Sequence, residues 1–352
     1  MKQPMKNGYQ DFTRRNFLKS AVLATAGLTT TAIQSHGFPA IIFRDLKSKS
    51  IVNGVRIGVI TYSFRDLPDQ SAEAVLGYIK DCGIHAVELM GGPAESFAGA
   101  PKNPVDMRSV FPLMRKRNEK KELTDTEAKL LGEAEAQLKA YRAELAQWRT
   151  AAPMNSFATL KKMFSDAGVE IYAFKPDAFG INNSDAEIDY GLRAAKVLGA
   201  SHITLEHPSN DSHTLKLGTM AEKHGVRVGY HGHEQQTPTL WDTAIQQSKS
   251  NALNLDLGHY IAAGNTDARE LIQRRSNKIV SMHVKDRKNK VNGGANLPWG
   301  EGDTLIVETL QLMKKNRYDF PATIELEYKV PDGSGSVAEV RKCLEYCIKA
   351  LS

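Results

Sequence analysis

Leu253-Asn254-Leu255-Asp256-Leu257-Gly258-His259 is a short aliphatic run that breaks into a carboxylate, a glycine and an imidazole. After a helical pattern over residues 268–275, the same design returns as Ile279-Val280-Ser281-Met282-His283-Val284-Lys285-Asp286. Near-continuous apolar strands separated by an amphipathic helix read as a βαβ unit with parallel, doubly covered strands. Working outward, strand candidates recur at 55–61, 86–90, 170–174, 202–206, 227–231, 253–257, 279–284 and 323–326. Helical patterns such as 72–82, 186–198, 215–224 and 305–315 lie between them. Eight such units close on themselves, so the expected fold is α/β, a (β/α)₈ TIM barrel. Gly83, Gly168, Gly199 and Gly225 each stand just before a strand, where glycine supplies the left-handed cap that ends a helix.

One connection is too long for this scheme. Residues 114–149, between the second and third strands, are highly charged and place Leu130, Ala134, Leu138, Tyr141 and Leu145 at helical spacing. This predicts a long helical insertion after strand 2, about residues 101–156, folded across the barrel mouth or rim. A coiled-coil dimer arm is the alternative, and a homo-oligomer is left open. Without the insertion, the remainder approaches the ~250 residues usual for such a barrel.

The N-terminus has a different character. Thr13-Arg14-Arg15-Asn16-Phe17-Leu18-Lys19 precedes an uncharged, weakly apolar run from Ser20 to Gln34, the pattern of a twin-arginine export signal. About 15 residues rising 1.5 Å each fall short of a ~30 Å hydrocarbon core, so stable membrane insertion is not expected. The expected organisation is a signal peptide at 1–32, a linker at 33–53 and the barrel at 54–352, in a periplasmic protein. Loss of Lys2, Lys6, Arg14, Arg15, Lys19 and the acid Asp11 lowers the formal net charge from +6 to +2. So small an excess does not attract nucleic acid, and a small-molecule partner is expected. Cys82, Cys343 and Cys347 are too few, and odd in number, for a disulfide framework.

In a (β/α)₈ barrel the active face is built at the C-terminal ends of the strands. Polar residues collect there: Thr204-Leu205-Glu206-His207, Tyr230-His231-Gly232-His233-Glu234, Asp256, His283 with Lys285, and Ile324-Glu325-Leu326-Glu327. Carboxylates and neutral imidazoles aimed at one point make a divalent-cation site, since a cluster of buried carboxylates needs a compensating charge. Asp256, His283 and Glu325 form the centre of that expectation.

Leu253 to His259 with Ala262-Ala263-Gly264, then Met282-His283-Val284-Lys285-Asp286, Gly300-Glu301-Gly302-Asp303 and Thr323-Ile324-Glu325, resemble the sugar phosphate isomerase/epimerase, or xylose-isomerase-like, barrel superfamily. The resemblance covers roughly residues 55–351 without the insertion. It implies a Mn²⁺, Mg²⁺, Co²⁺ or Zn²⁺ ion held by Asp256, His283 and Glu325, and a carbohydrate substrate. Members usually supply a fourth ligand as a glutamate at the end of the fifth strand, where this chain has His231. His231 is therefore assigned as ligand or catalytic group, and Glu206 as the carboxylate that compensates.

A polarised carbonyl makes the neighbouring C–H acidic, and a positioned Glu or His carries the proton. Isomerisation, epimerisation and β-elimination share that first step. The catalytic candidates are Glu206, His231, His233, Glu325 and Lys175; His207, Lys285, Arg287 and Trp299 are candidates for holding substrate. Two other readings stand beside the enzyme: a non-catalytic sugar-binding barrel, and a nuclease like endonuclease IV. The nuclease would need additional ligands, and residues 288–299 contain neither His nor Asp.

Overall fold

Eight parallel strands close the barrel: β1 Val55–Ile60, β2 Ala86–Met90, β3 Glu170–Lys175, β4 His202–Glu206, β5 Arg227–His231, β6 Asn251–Asp256, β7 Ile279–Val284 and β8 Ala322–Ile324. β8 pairs in parallel with both β7 and β1, and β1 pairs with β2, so no barrel edge is left open. This is a computed structural model describing residues 50–352; the expected export segment at 1–32 and residues 33–49 of the expected linker lie outside the described residues. Among the described residues, no helix is long and apolar enough to cross a membrane.

The strands follow the sequence pattern to within two residues, and the differences that bear on the site are in β6 and β8. β6 starts two residues early and stops at Asp256, whose side chain accepts from the His259 amide and caps a short helix, α3, Leu257–Ala262. β8 is short, so Glu325 lies just past its end. Gly199 and Gly225 end their helices at φ 82° and 66°, conformations that cost a β-carbon dearly.

The insertion is two helices where the spacing predicts one: α1, Met107–Asn118, and α2, Asp125–Thr150. They share a small apolar core of Val105, Val110, Leu131, Ala134 and Leu138. Ala134, Leu138 and Leu145 are buried as the spacing predicts, but at the start of the stripe Leu131 is buried and Leu130 is 45 % exposed. Adjacent leucines fit either face of an isolated helix, and packing against α1 selects between them. α2 starts with a reciprocal cap between Thr124 and Glu127. Its far end is tied to the barrel by buried Arg149, which meets Glu95 at 2.9 Å and Glu187 at 3.2 Å and donates to the Asp177 carbonyl at 2.8 Å. Removing one partner of such a buried set leaves an uncompensated charge, at a cost of ~3–5 kcal/mol. All three cysteines are buried and unpaired.

Candidate metal centre

Side chains alternate across a strand, so successive inward residues form layers inside the barrel. The lower layer is polar and closed: Tyr172 Oη bonds Thr323 Oγ1 at 2.7 Å, and His202 Nε2 bonds Ser281 Oγ at 3.0 Å. Above it, His231, Asp256, His283 and Glu325 converge, each offering a ligand atom within 4.8 Å of the others, and all four are buried. The sequence reading of these four residues as one cluster matches their positions.

Their hydrogen bonds decide which atoms face the centre. His231 Nδ1 donates to Asn254 Oδ1 at 2.7 Å, and the Asn254 amide is oriented by its own bond to Ser281 Oγ at 2.6 Å. That leaves Nε2 of His231 facing Asp256 Oδ2, 3.7 Å away. His283 Nε2 reaches Glu88 Oε2 at 2.8 Å, and its Nδ1 lies 2.9 Å from Glu325 Oε2. Donors ~2.1 Å from one ion stand ~3.0–3.4 Å apart for right or tetrahedral angles, so these separations suit a shared ion. Asp256 Oδ2 is buried with no well-aligned hydrogen bond, and its close partner is a cation, the Lys285 ammonium. Each histidine has an outer partner that fixes its tautomer, as metal-binding imidazoles require.

Lys285 is the protein's own cation at this point. Its ammonium is 2.9 Å from Asp256 Oδ2, 2.8 Å from Glu325 Oε2 and 2.7 Å from Glu327 Oε2, so a divalent ion held by the first two would compete with it for them. Burial opposes charge on Lys285, but Asp256, Glu325 and Glu327 outweigh it and raise its pKa. Burial likewise opposes a proton on His283, yet Glu88 and Glu325 raise its pKa to about 10. Glu88 is pushed up by burial and pulled down further by His283, to about 2. His231, desolvated and next to His283, falls to about 3 and stays neutral, the form that ligates.

A second group lies toward the mouth. Glu206 Oε1 accepts from Lys175 at 3.0 Å, and its Oε2 is 3.4 Å from His233 Nε2. Burial would raise Glu206, but Lys175, His231 and His233 hold it at about 2, so it is ionised at neutral pH. His231, His233 and His259 also converge closely enough for a metal. His231 Nε2 serves only one ion, however, and the Arg287 guanidinium stands against His259 Nδ1, which disfavours a cation there.

Other expected substrate groups are placed differently. Arg287 pairs with Glu234 and donates to the Gly294 carbonyl. His207 accepts from the Ser209 amide, and its ring lies edge-on to Tyr230. Trp299 packs against Tyr346 of a helix α4, Ser336–Leu351. Three site groups escaped selection from sequence: Glu88, Glu327 and His259, whose Nε2 is buried with no hydrogen bond, 3.8 Å from Glu327 Oε2. Asp286 of the His-Val-Lys-Asp run anchors the Gly300–Thr304 loop, accepting from the Gly300 and Gly302 amides at 2.7 and 2.9 Å.

A family model described as xylose isomerase-like TIM barrel matches residues 135–347. The chain belongs to this family. Solved structures share its fold at low identity. A xylose isomerase domain protein from Planctomyces limnophilus is 16 % identical, with 84 % of this chain and 95 % of that one covered at a TM-score of 0.53. The probable 3-DHS dehydratase AsbF from Bacillus anthracis is 14 % identical over 82 % and 97 %, also at 0.53. An L-ribulose 3-epimerase is 13 % identical over 84 % and 95 %, again at 0.53. No curated protein matches the chain.

Proposed function

We propose that this chain is a divalent-metal-dependent, isomerase/epimerase-like enzyme that removes a proton beside a carbonyl of a sugar, keto-sugar or polyol. The observation that carries the reading is a division of labour among the strand ends. Four buried donors, His231, Asp256, His283 and Glu325, are oriented as a ligand set, while one ionised carboxylate, Glu206, stays outside it. The bound ion would supply a Lewis acid that polarises the carbonyl and acidifies the adjacent C–H. Glu206 accepts that proton, and Lys175 holds its carboxylate in place and charged. Glu325 is tied to His283 and Lys285, so the base role falls to Glu206 and not to Glu325.

A second outcome on the same site is β-elimination, favoured by His233 standing 3.4 Å from Glu206. Removal of the C–H proton by Glu206, with a proton given to the departing oxygen by His233, balances an elimination. Return of the proton to carbon gives an epimer or isomer instead. The substrate is a small carbohydrate rather than nucleic acid, and the periplasm is its expected location.

The test is deuterium exchange: the purified chain, loaded in turn with Mn²⁺, Mg²⁺, Co²⁺ or Zn²⁺, is incubated with ketoses, inososes and keto-glycosides in D₂O and followed by NMR. Deuterium beside the carbonyl, lost with a chelator and in Asp256→Asn, is the expected result. A chain that binds metal yet exchanges no substrate C–H across this panel defeats the proposal.

A further inference from the structure

Between α2 and the loops that follow β2 and β3 lies a cleft of about 870 Å³, lined among others by Gly91, Tyr141, Arg142, Lys175, Ile181 and Asn182. That volume is toward the upper end of the ~300–1,000 Å³ common for small-molecule sites. Lys175 is the junction: the same side chain that lines the cleft donates to Glu206 of the proposed catalytic group. The cleft therefore adjoins Glu206 across this one side chain, and a ligand that reaches past Lys175 enters it.

The outer wall is chemically suited to a ring. Tyr141 is half-buried and offers a flat face, and Ile181, which lines the same cleft, leaves a large apolar side chain 57 % exposed. Among the described residues, neither the Tyr141 hydroxyl nor the Arg142 guanidinium has a hydrogen-bond partner, and Arg142 forms no ion pair; both lie free for a ligand's rim. An apolar face with polar groups around it matches a sugar or aryl ring, which buries its flat surface and keeps its edge hydrogen-bonded. The wall is also preorganised, because buried Arg149 clamps α2 through Glu95 and Glu187.

We infer that the substrate is a glycoside of at least two rings, with one ring at the strand ends and the ring that would leave in an elimination seated in this cleft against Tyr141 and Arg142. The inference rests on the function proposed above and specifies its substrate class. An elimination needs a leaving group, and the cleft provides a place for one.

Binding without turnover separates the two ideas. Methyl β-glucoside, phenyl β-glucoside and cellobiose are titrated into the full folded chain by calorimetry, with saturation-transfer NMR to show which ring is in contact. Both two-ring probes should bind at least tenfold more tightly than the methyl glycoside, and their relative affinities tell whether the second ring is sugar or aryl. In Tyr141→Ala and in Arg142→Ala the phenyl glycoside should fall to the level of the methyl one, with thermal unfolding reporting that each variant is folded. Arg142 is exposed, so its variant remains informative if Tyr141→Ala does not fold. Equal affinity for one-ring and two-ring probes, or a two-ring advantage that survives Arg142→Ala, overturns the cleft assignment. Exchange of one-ring keto-sugars without a two-ring advantage leaves the metal centre standing and removes the cleft; two-ring binding without any exchange does the reverse.

Discussion

Glu88 Oε2 accepts from His283 Nε2 at 2.8 Å, and this contact turns the other ring nitrogen toward Asp256 and Glu325. Thr204 in turn donates to Glu88 Oε1 at 2.5 Å, so the carboxylate is itself held. A carboxylate behind a ligating histidine fixes the tautomer and strengthens the donor, and its loss commonly costs ~10–100-fold in metal affinity. Glu88→Gln keeps an acceptor but removes the charge. Its Mn²⁺ affinity, measured by calorimetry, should fall at least tenfold with the fold intact; wild-type affinity would remove Glu88 from the ion's support.

Lys285 makes a prediction of opposite sign. Its ammonium occupies the space between Asp256 and Glu325, so it competes with an incoming ion and repels it. Lys285→Met should therefore bind Mn²⁺ more tightly than the native chain, by roughly tenfold, since ~1.4 kcal/mol of relieved repulsion is tenfold in affinity. The metal-free variant should be less stable, because Asp256 and Glu325 lose their buried counter-charge. Weaker Mn²⁺ binding in Lys285→Met would show that the lysine helps to hold the ion.

The contrast between Asp256 and Glu88 shows what the sequence can tell. Asp256 ends an apolar strand, a position with a known functional meaning in a barrel, and so do His231, His283 and Glu325. Glu88 sits within Ala86-Val87-Glu88-Leu89-Met90, where the signal was weaker: an acid inside a strand buried on both sides must have a partner, but nothing local says which. His283 is that partner, from the opposite side of the barrel. One position of the insertion helix differs for a related reason, since whether Leu130 or Leu131 faces inward depends on α1 and not on α2. Asp286 was visible as part of a motif, while its service as anchor of the Gly300–Thr304 loop required the folded chain.

His202 ties stability to pH. It is 1 % exposed, and burial lowers its pKa from 6.5 to about 4. The unfolded imidazole takes up a proton below pH 6.5, whereas the folded one resists until about 4. The contribution is thus complete above pH 6.5 and is lost as pH falls toward 4, to a total of about 3 kcal/mol. Denaturant midpoints between pH 7.5 and 4.5 should decline less steeply in His202→Gln than in the native chain. Parallel slopes would show that His202 does not resist protonation in the fold.

Export is proposed from Thr13-Arg14-Arg15-Asn16-Phe17-Leu18-Lys19 before a short uncharged run. Changing Arg14 and Arg15 together to Lys should retain the protein in the cytoplasm while leaving the activity of the purified barrel as it was. Fractionation that finds the same periplasmic yield would end the assignment.

The choice between epimerisation and elimination turns on Glu206 and His233. Two-face proton exchange is commonly done by a pair of carboxylates on opposite sides of the reacting carbon, and the family's usual glutamate at the fifth strand is here His231, desolvated and neutral. Glu206 is then a single base, with His233 beside it as a group able to return a proton to oxygen. A keto-glycoside in D₂O should accordingly release its second ring and leave an unsaturated sugar. Glu206→Gln removes the base, so both exchange and release should fall together, by at least the hundredfold typical of a general base. His233→Asn should slow release more than exchange, because it removes the acid and spares the base. If the native chain yields only a deuterated epimer with its glycosidic bond intact, elimination is excluded, and proton removal by Glu206 stands on the exchange result alone.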